Sequence, residues 1–367
     1  MQALILAGGE GTRLRPLTST IPKPVVPLAN RPHLAFMIDW LRRHGVDDVI
    51  LSCGFMADGV RRVLGDGEGM GVRIRYVEEP TPLGTAGALR FAGDLLGERF
   101  LMLNGDVLTD IDLTEQLDQH ERTGARATIA LIEVEDPSAY GLVTLNDDLS
   151  VSEFLEKPNP DEAAIHLINA GAYVLDHSIL DEMAPPGTNI SIERDVFPSL
   201  VDRGLYGYVA DGYWLDIGTP ERYLQGTFDI LEGNVDTEVG ARLDDARGAL
   251  ADGAAVKGRV VAPALIGEQS RIARGAIVGG RVVLGRGVSV AEGAHVERSV
   301  VLEGASIGPG VHVSASIIGP HASIGEHCHI ERGVVLGERV TLGAGNVLTA
   351  GARVSPGVEL PRGAIRF

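Results

Sequence analysis

Only two of the 367 residues are cysteines. Cys53 and Cys328 lie far apart and show no metal-ligand spacing, so no disulfide framework or cysteine metal site is implied, and both read as small buried thiols. Basic residues are also scarce: 32 Lys and Arg stand against 50 Asp and Glu, a formal net charge of −18. Binding to a long polyanion is driven by basic patches that release counterions from phosphates, so no nucleic acid is expected as a partner. A small nucleotide stays compatible, because a few local cations and a metal can hold one triphosphate whatever the total charge. Hydrophobic residues make up 44% of the chain. No run approaches the length of a membrane span and no basic, apolar leader is seen, so a soluble cytoplasmic protein without a membrane partner is expected. The length suffices for two or three domains, each with a sizeable core.

Two familiar nucleotide loops are missing as well. Leu14 stands where Gly-x-Gly-x-x-Gly needs its third glycine, and no Gly-Lys-Ser/Thr follows. What stands there instead is Leu6-Ala7-Gly8-Gly9-Glu10-Gly11-Thr12-Arg13-Leu14-Arg15-Pro16-Leu17-Thr18, then Pro22-Lys23-Pro24. The apolar run Ala3 to Ala7 is too short for a helix and reads as a buried strand. A loop with Gly8, Gly9 and Gly11 can bring backbone N–H groups close to a phosphate, and Arg13, Arg15 and Lys23 place cations near its oxygens.

From Met1 to about Leu231, short apolar runs alternate with helical patterns, the mark of a mostly parallel, doubly wound α/β sheet. Strands are expected at Ala3 to Ala7, Val49 to Cys53, Val72 to Val77, Phe100 to Asn104, Thr128 to Ile132 and Ala172 to Leu175. Helices are expected over His33 to His44, stopped by Gly45, and over Thr219 to Gly233, with Thr219 as N-cap and Pro220 at the first helical position. Ligands of such a sheet sit outside the carboxyl ends of its strands, where the glycine loop lies. Residues 234–252 lack periodicity and read as a linker.

From about Ala254 a six-residue period takes over. Val260, Ile266, Ile272, Val278, Leu284, Val290 and Val296 fall six apart; after a slip come Ile307 and Val313, and after another Ile318, Ile324, Ile330, Leu336, Leu342, Leu348, Val354 and Leu360. Hexapeptide repeats stack aliphatic side chains inside a parallel β-helix with small residues at its corners. This stretch resembles the left-handed β-helix family, with about six coils, and the slips read as small corner insertions. The domains expected are therefore 1–233, doubly wound α/β, and 253–367, β-helix, joined by the linker 234–252.

Two aspartates occupy telling places. Asp106 follows the strand ending at Asn104, at the sheet's carboxyl edge, and Asp216 lies just before the Thr219 N-cap. Two hard carboxylates converging on a triphosphate suit Mg²⁺, which fills the rest of its shell with water and phosphate oxygens.

The glycine loop with its Pro-Lys-Pro resembles the signature of sugar-phosphate nucleotidyltransferases, and the resemblance runs through both domains. It implies transfer of a nucleotidyl group from a nucleoside triphosphate to a sugar-1-phosphate with release of pyrophosphate. It makes Arg13, Lys23, Asp106, Lys157 and Asp216 the catalytic set, with Mg²⁺ on Asp106 and Asp216. The nucleotide would lie against Leu6, Ala7, Gly8, Gly9, Gly11, Thr12, Arg13, Lys23, Glu79, Pro82, Gly84 and Thr85. The sugar phosphate would meet Asn104, Gly141, Glu156, Lys157, Asn169 and Trp214.

Within that family, Leu83-Gly84-Thr85-Ala86-Gly87 and Trp214-Leu215-Asp216-Ile217-Gly218 look most like the mannose-1-phosphate guanylyltransferase branch, which implies GTP and mannose-1-phosphate as substrates. Thymidylyl, uridylyl or adenylyl transfer to glucose-1-phosphate remains an alternative, as does a non-catalytic sensor of nucleotide sugars. A stacked-coil solenoid presents flat faces that commonly become interfaces, so a homo-oligomer is expected. His312, His321, His327 and His329 are expected at outward or corner positions of the repeat, without a second catalytic site.

Overall fold

The computed structural model describes residues 1–138, 140–155, 166–243, 248–250, 253–349 and 351–366. They fall into two compact units that do not follow linear order. One comprises Met1–Gly9 and Met37–Trp214, the other Glu10–Phe36 and Leu215–Phe367.

The first unit is built on a nine-stranded sheet. Its strands are β1 (Gln2–Leu6), β2 (Asp48–Cys53), β3 (Arg73–Glu78), β4 (Arg99–Asn104), β5 (Ala127–Glu133), β6 (Leu142–Leu145), β7 (Val151–Leu155), β8 (Leu167–Asp176) and β9 (Leu205–Val209). The spatial order is β7-β6-β8-β4-β1-β2-β3, with β5 on β8 and β9 on β5. Pairs β1–β2, β1–β4, β2–β3 and β5–β9 are parallel, whereas β8 runs antiparallel to β4, β5 and β6. The sheet is thus mixed rather than mostly parallel. Burial is what made its centre readable: all six residues of β2 are buried, so they form one continuous apolar-rich run. Strands β6, β7 and β9, which no apolar run announced, are only partly buried.

Helices cover this sheet where periodicity and caps place them. Helix α1 (His33–Arg43) buries Leu34, Ile38 and Leu41 and is followed by Gly45 at φ 75°. Helix α2 (Gly84–Ala92) buries Ala86 and Leu89. Helix α3 (Leu113–Thr123) starts at Asp112, whose carboxylate accepts from the N–H groups of Thr114 and Glu115, and ends at Gly124 in the left-handed region.

In the second unit, α4 (Pro220–Glu232) starts at Thr219, whose hydroxyl accepts from Arg222 N–H, and stops at Gly233 with φ 77°. Beyond it the chain winds into a left-handed parallel β-helix whose three faces carry seven, seven and six strands. Ile266, Leu284, Val301, Ile318 and Leu336 stack along one face, all at most 2% exposed, as do Ile272, Val290, Ile307, Ile324 and Leu342 along the next. The slips in the hexad series are shortenings, not insertions. Leu284 pairs with Val301 and Val301 with Ile318, a spacing of 17, whereas Ile266 pairs with Leu284 and Ile318 with Leu336 at 18. One corner residue has been lost twice, and Val301 takes the inward place that strict period six leaves empty.

Both cysteines are buried free thiols. Burial pushes Cys53 up to about 12, so it is no nucleophile near neutral pH. His321, His327 and His329 are exposed and His312 is half-buried, the outward and corner places expected of them. Among the described residues no helix is long and apolar enough to cross a membrane.

Candidate active site

In the first unit, β1 delivers the start of the glycine loop between two neighbouring strand ends. Ala7 N–H donates to the Ser52 carbonyl at 2.8 Å and Gly105 N–H to the Leu6 carbonyl at 3.0 Å. Asp106 therefore follows directly on a backbone bond to the end of β1. Glu79 ties the loop after β3 to β2: its carboxylate accepts from the Ser52 hydroxyl at 2.9 Å and from Leu83 N–H at 3.2 Å. It also borders Gly8, where a Cβ would stand 3.1 Å from Oε1.

Helix α2 begins under a clamp. Gly84 lies at φ 73°, and a Cβ there would stand 2.4 Å from the Ile190 carbonyl oxygen, so only glycine lets these backbones meet. Ala86 N–H donates to Ile190 O and Ile190 N–H to Leu83 O, while the Asn189 amide donates to the carbonyl of Pro82 at 2.8 Å. Thr85 donates to Glu193 Oε2 at 2.7 Å, the same oxygen that takes the Ser191 hydroxyl at 2.7 Å. Thr85 Oγ in turn accepts from Ile192 N–H at 2.8 Å. This buried carboxylate holds the start of α2 in place, and no local pattern announced it.

The residues expected around the sugar also come together in this unit. Asn169 N–H donates to Gly141 O at 3.0 Å, and its side chain donates to the Tyr173 hydroxyl and accepts from Gly171 N–H. The side chain of Asn104 packs against Gly171. Trp214 donates from its indole to the Ala170 carbonyl at 2.8 Å and meets Tyr140 edge-on, ring centroids 5.3 Å apart. Glu156 and Lys157 lie outside the described residues.

In the second unit, Gly11 adopts φ 64°, and a Cβ on it would stand 2.9 Å from Cβ of Lys23. The Thr18 hydroxyl donates to Gly11 O at 2.7 Å, closing the stretch from Gly11 to Thr18 on itself. Arg15 pairs with Glu10 in solvent at 3.0 Å. The Arg13 guanidinium lies over Gly218, where a Cβ would stand 2.8 Å from Nη2 and 3.1 Å from Asp216 Oδ2. Asp216 is mostly buried and pairs with Arg222 of α4. Arg13 and Asp216 are thus gathered at one end of α4. From the β-helix, Arg353 donates to the carbonyl oxygens of Arg13 and Arg15, a contact no sequence signal foretold.

Among the described residues no three His, Cys, Asp or Glu side chains cluster as a self-sufficient metal cage.

Against known proteins, the nucleotidyl transferase family profile matches residues 2–233 and a GMPPB C-terminal domain profile matches 260–363. The chain belongs to the nucleotidyl transferase family. A mannose-1-phosphate guanylyltransferase of Mycobacterium tuberculosis is 40% identical over 237 residues, covering 64% of this chain and 65% of that protein. A probable mannose-1-phosphate guanylyltransferase 3 of Oryza sativa subsp. japonica is 36% identical over 367 residues, covering 98% of this chain and 97% of that protein. The crystal structure of HddC from Yersinia pseudotuberculosis superposes with a TM-score of 0.55 at 30% identity, over 62% of this chain and 97% of that one.

Proposed function

We propose that the protein is a Mg²⁺-dependent, cytoplasmic sugar-1-phosphate guanylyltransferase that makes GDP-mannose from GTP and mannose-1-phosphate and releases pyrophosphate. The observation that carries this is that Arg13 of the glycine loop is gathered with Gly218 and Asp216 at the start of α4. The guanine and mannose assignments are supported by the printed names of the relatives, and by a second HddC structure, 29% identical, that was solved with GMP-PN.

The nucleophile is the sugar phosphate itself. A phosphate monoester has a second pKa of about 6, so it is already an anion near neutral pH and no side chain need act as general base. Repulsion between two anions is the obstacle, and positioned cations remove it. Arg13 and Lys23 hold the triphosphate and the leaving pyrophosphate, and Lys157 holds the incoming phosphate. Backbone N–H groups of residues 8–12 cradle the phosphates, while Glu79, Pro82, Gly84 and Thr85 border the nucleoside. Asn104, Gly141, Glu156, Asn169 and Trp214 orient the sugar. Asp106 and Asp216 hold Mg²⁺, which neutralises phosphate charge when bound. On this reading the chemistry lies in residues 1–233, and the β-helix supports the fold and self-association.

The test is pyrophosphate release with Mg²⁺ across four nucleoside triphosphates and three sugar-1-phosphates. GTP with mannose-1-phosphate should give the highest kcat/KM. A preference for dTTP, UTP or ATP with glucose-1-phosphate would keep the reaction and overturn the substrates. No turnover with any pair would favour a sensor.

A further inference from the structure

A second cationic site lies in the second unit, between α4 and one corner of the β-helix. It is a cleft of about 200 Å³ lined by Pro220, Glu221, Gln225 and Phe228 on the helix side and by Arg281, Arg298, Ala315, Arg332 and Gly333 on the solenoid side. The solenoid residues are one column. Arg281, Arg298, Ala315 and Gly333 take the left-handed conformation at the same corner of four successive coils, with φ of 74°, 47°, 44° and 82°. Backbone bonds tie the column together: Arg298 N–H donates to Gly280 O at 3.1 Å and Gly333 N–H to Ala315 O at 2.8 Å. Coils in register stand about 4.8 Å apart, so Arg281 and Arg298 rise from neighbouring levels and Arg332 from the level beyond Ala315. Ala315 and Gly333, with little or no side chain, leave the space between them open.

The charges in this cleft are mostly uncommitted. Arg281 pairs with Glu232 at 2.6 Å and lies over the Phe228 ring, which fixes its guanidinium against α4. Neither Arg298 nor Arg332 has an ion-pair or hydrogen-bond partner for its side chain among the described residues. The first turn of α4 adds the positive end of a helix dipole, while the Gln225 amide is held by the Asp229 carboxylate at 2.9 and 3.0 Å. Glu221 is the one carboxylate in the lining, so cations outnumber it. In a chain of net charge −18, a concave site with three arginines is selective for a ligand that repays the local repulsion.

We propose that this cleft binds a compact phosphate-type anion through Arg281, Arg298 and Arg332, away from the loop that carries Arg13 and Lys23. The volume sets the ligand's size. Drug-sized ligands take pockets of roughly 300–1,000 Å³, so a cleft of about 200 Å³ suits inorganic phosphate, pyrophosphate or the phosphoryl end of a small metabolite rather than a nucleotide sugar. Arg298 and Arg332, on either side of Ala315, are placed to grip oxygens from two directions.

Isothermal titration of the full chain in EDTA, first with inorganic pyrophosphate and then with inorganic phosphate, tests this without reference to the substrates of the enzyme. Wild type and Lys23→Ala should bind with similar affinity. The double variant Arg298→Gln/Arg332→Gln should bind about tenfold or more weakly, as loss of charge-assisted contacts requires. Ala315→Asp, which sets a carboxylate between the arginines, should abolish binding while circular dichroism stays that of wild type. Binding of phosphate as strong as that of pyrophosphate would assign the site to a single phosphoryl group; stronger binding of pyrophosphate would assign it to a diphosphate. Unchanged affinity in both cleft variants, loss of all binding in Lys23→Ala, or no binding by wild type up to about 10 mM would overturn the proposal.

Discussion

Arg353 and Arg13 are 340 residues apart, yet Nη1 of the first donates to the carbonyl oxygen of the second at 2.9 Å. The same nitrogen reaches Arg15 O at 3.1 Å, so a β-helix side chain holds the backbone of the glycine loop from outside. Arg353→Ala should lower kcat/KM for the triphosphate about tenfold, the lower end of what about 1.5–3 kcal/mol for charged hydrogen bonds allows, since these bonds are exposed. Arg353→Lys should recover part of it. Pyrophosphate-release kinetics with each substrate varied in turn measure the effect, and an unchanged kcat/KM would show that the loop holds its shape unaided.

Glu193 makes a comparable contribution inside the first unit. Its Oε2 takes both Thr85 and Ser191 hydroxyls at 2.7 Å. Glu193→Ala leaves the buried Ser191 hydroxyl and the half-buried Thr85 hydroxyl without that partner, and an unsatisfied buried group costs roughly 1–3 kcal/mol. The variant should melt several degrees lower and show a raised KM for the nucleoside triphosphate, with KM for the sugar phosphate less affected. Calorimetry and steady-state kinetics decide between this and a purely structural role, in which both KM values stay as in wild type.

Charge removal at the loop should be far more costly to turnover than to folding. Lys23→Ala and Arg13→Ala are each expected to lose about 10²–10³ in kcat, the range seen when one preorganised donor to developing charge is deleted. Chelation with EDTA should abolish pyrophosphate release, and added Mg²⁺ should restore it. Full activity in EDTA would remove Asp106 and Asp216 from the metal assignment.

Stability should fall on mild acidification because of His120. The imidazole is wholly buried, with Nδ1 on the Thr128 hydroxyl at 2.9 Å and Nε2 on Asp176 at 3.3 Å. Burial pushes its pKa below the ordinary value; Asp176 and Glu121 pull upward and Arg99 downward, and burial prevails. The folded state therefore keeps this histidine neutral while the unfolded chain protonates near about 6.5. Its contribution is fully present above that pH and is lost as pH falls from there through the lowered folded pKa. Urea midpoints between about pH 7.5 and 5 should drop accordingly, and His120→Gln should flatten that slope.

Much of this architecture was legible because the signals are local. Thr219, Pro220 and Gly233 delimit α4 through their own backbone chemistry, and the hexad aliphatics repeat because each coil buries the same face. The antiparallel course of β8 was not legible, since a buried strand has the same composition in either direction. Nor was the sense of the slips: a lost corner residue and a gained one break the period alike, and only the pairing of Leu284 with Val301 tells them apart.

By itself, then, the sequence determined the glycine loop with its cations, the two aspartates, the capped helix and a solenoid of stacked aliphatics. These rest on φ preferences, capping and periodicity, which act over a few residues. Tertiary structure decided that Arg353 would hold the Arg13 backbone, that Glu193 would hold Thr85, and that Arg281, Arg298 and Arg332 would line one cleft. Each of those depends on coil spacing, corner length or strand direction, which are set when the whole chain packs and leave no trace in the residues nearby.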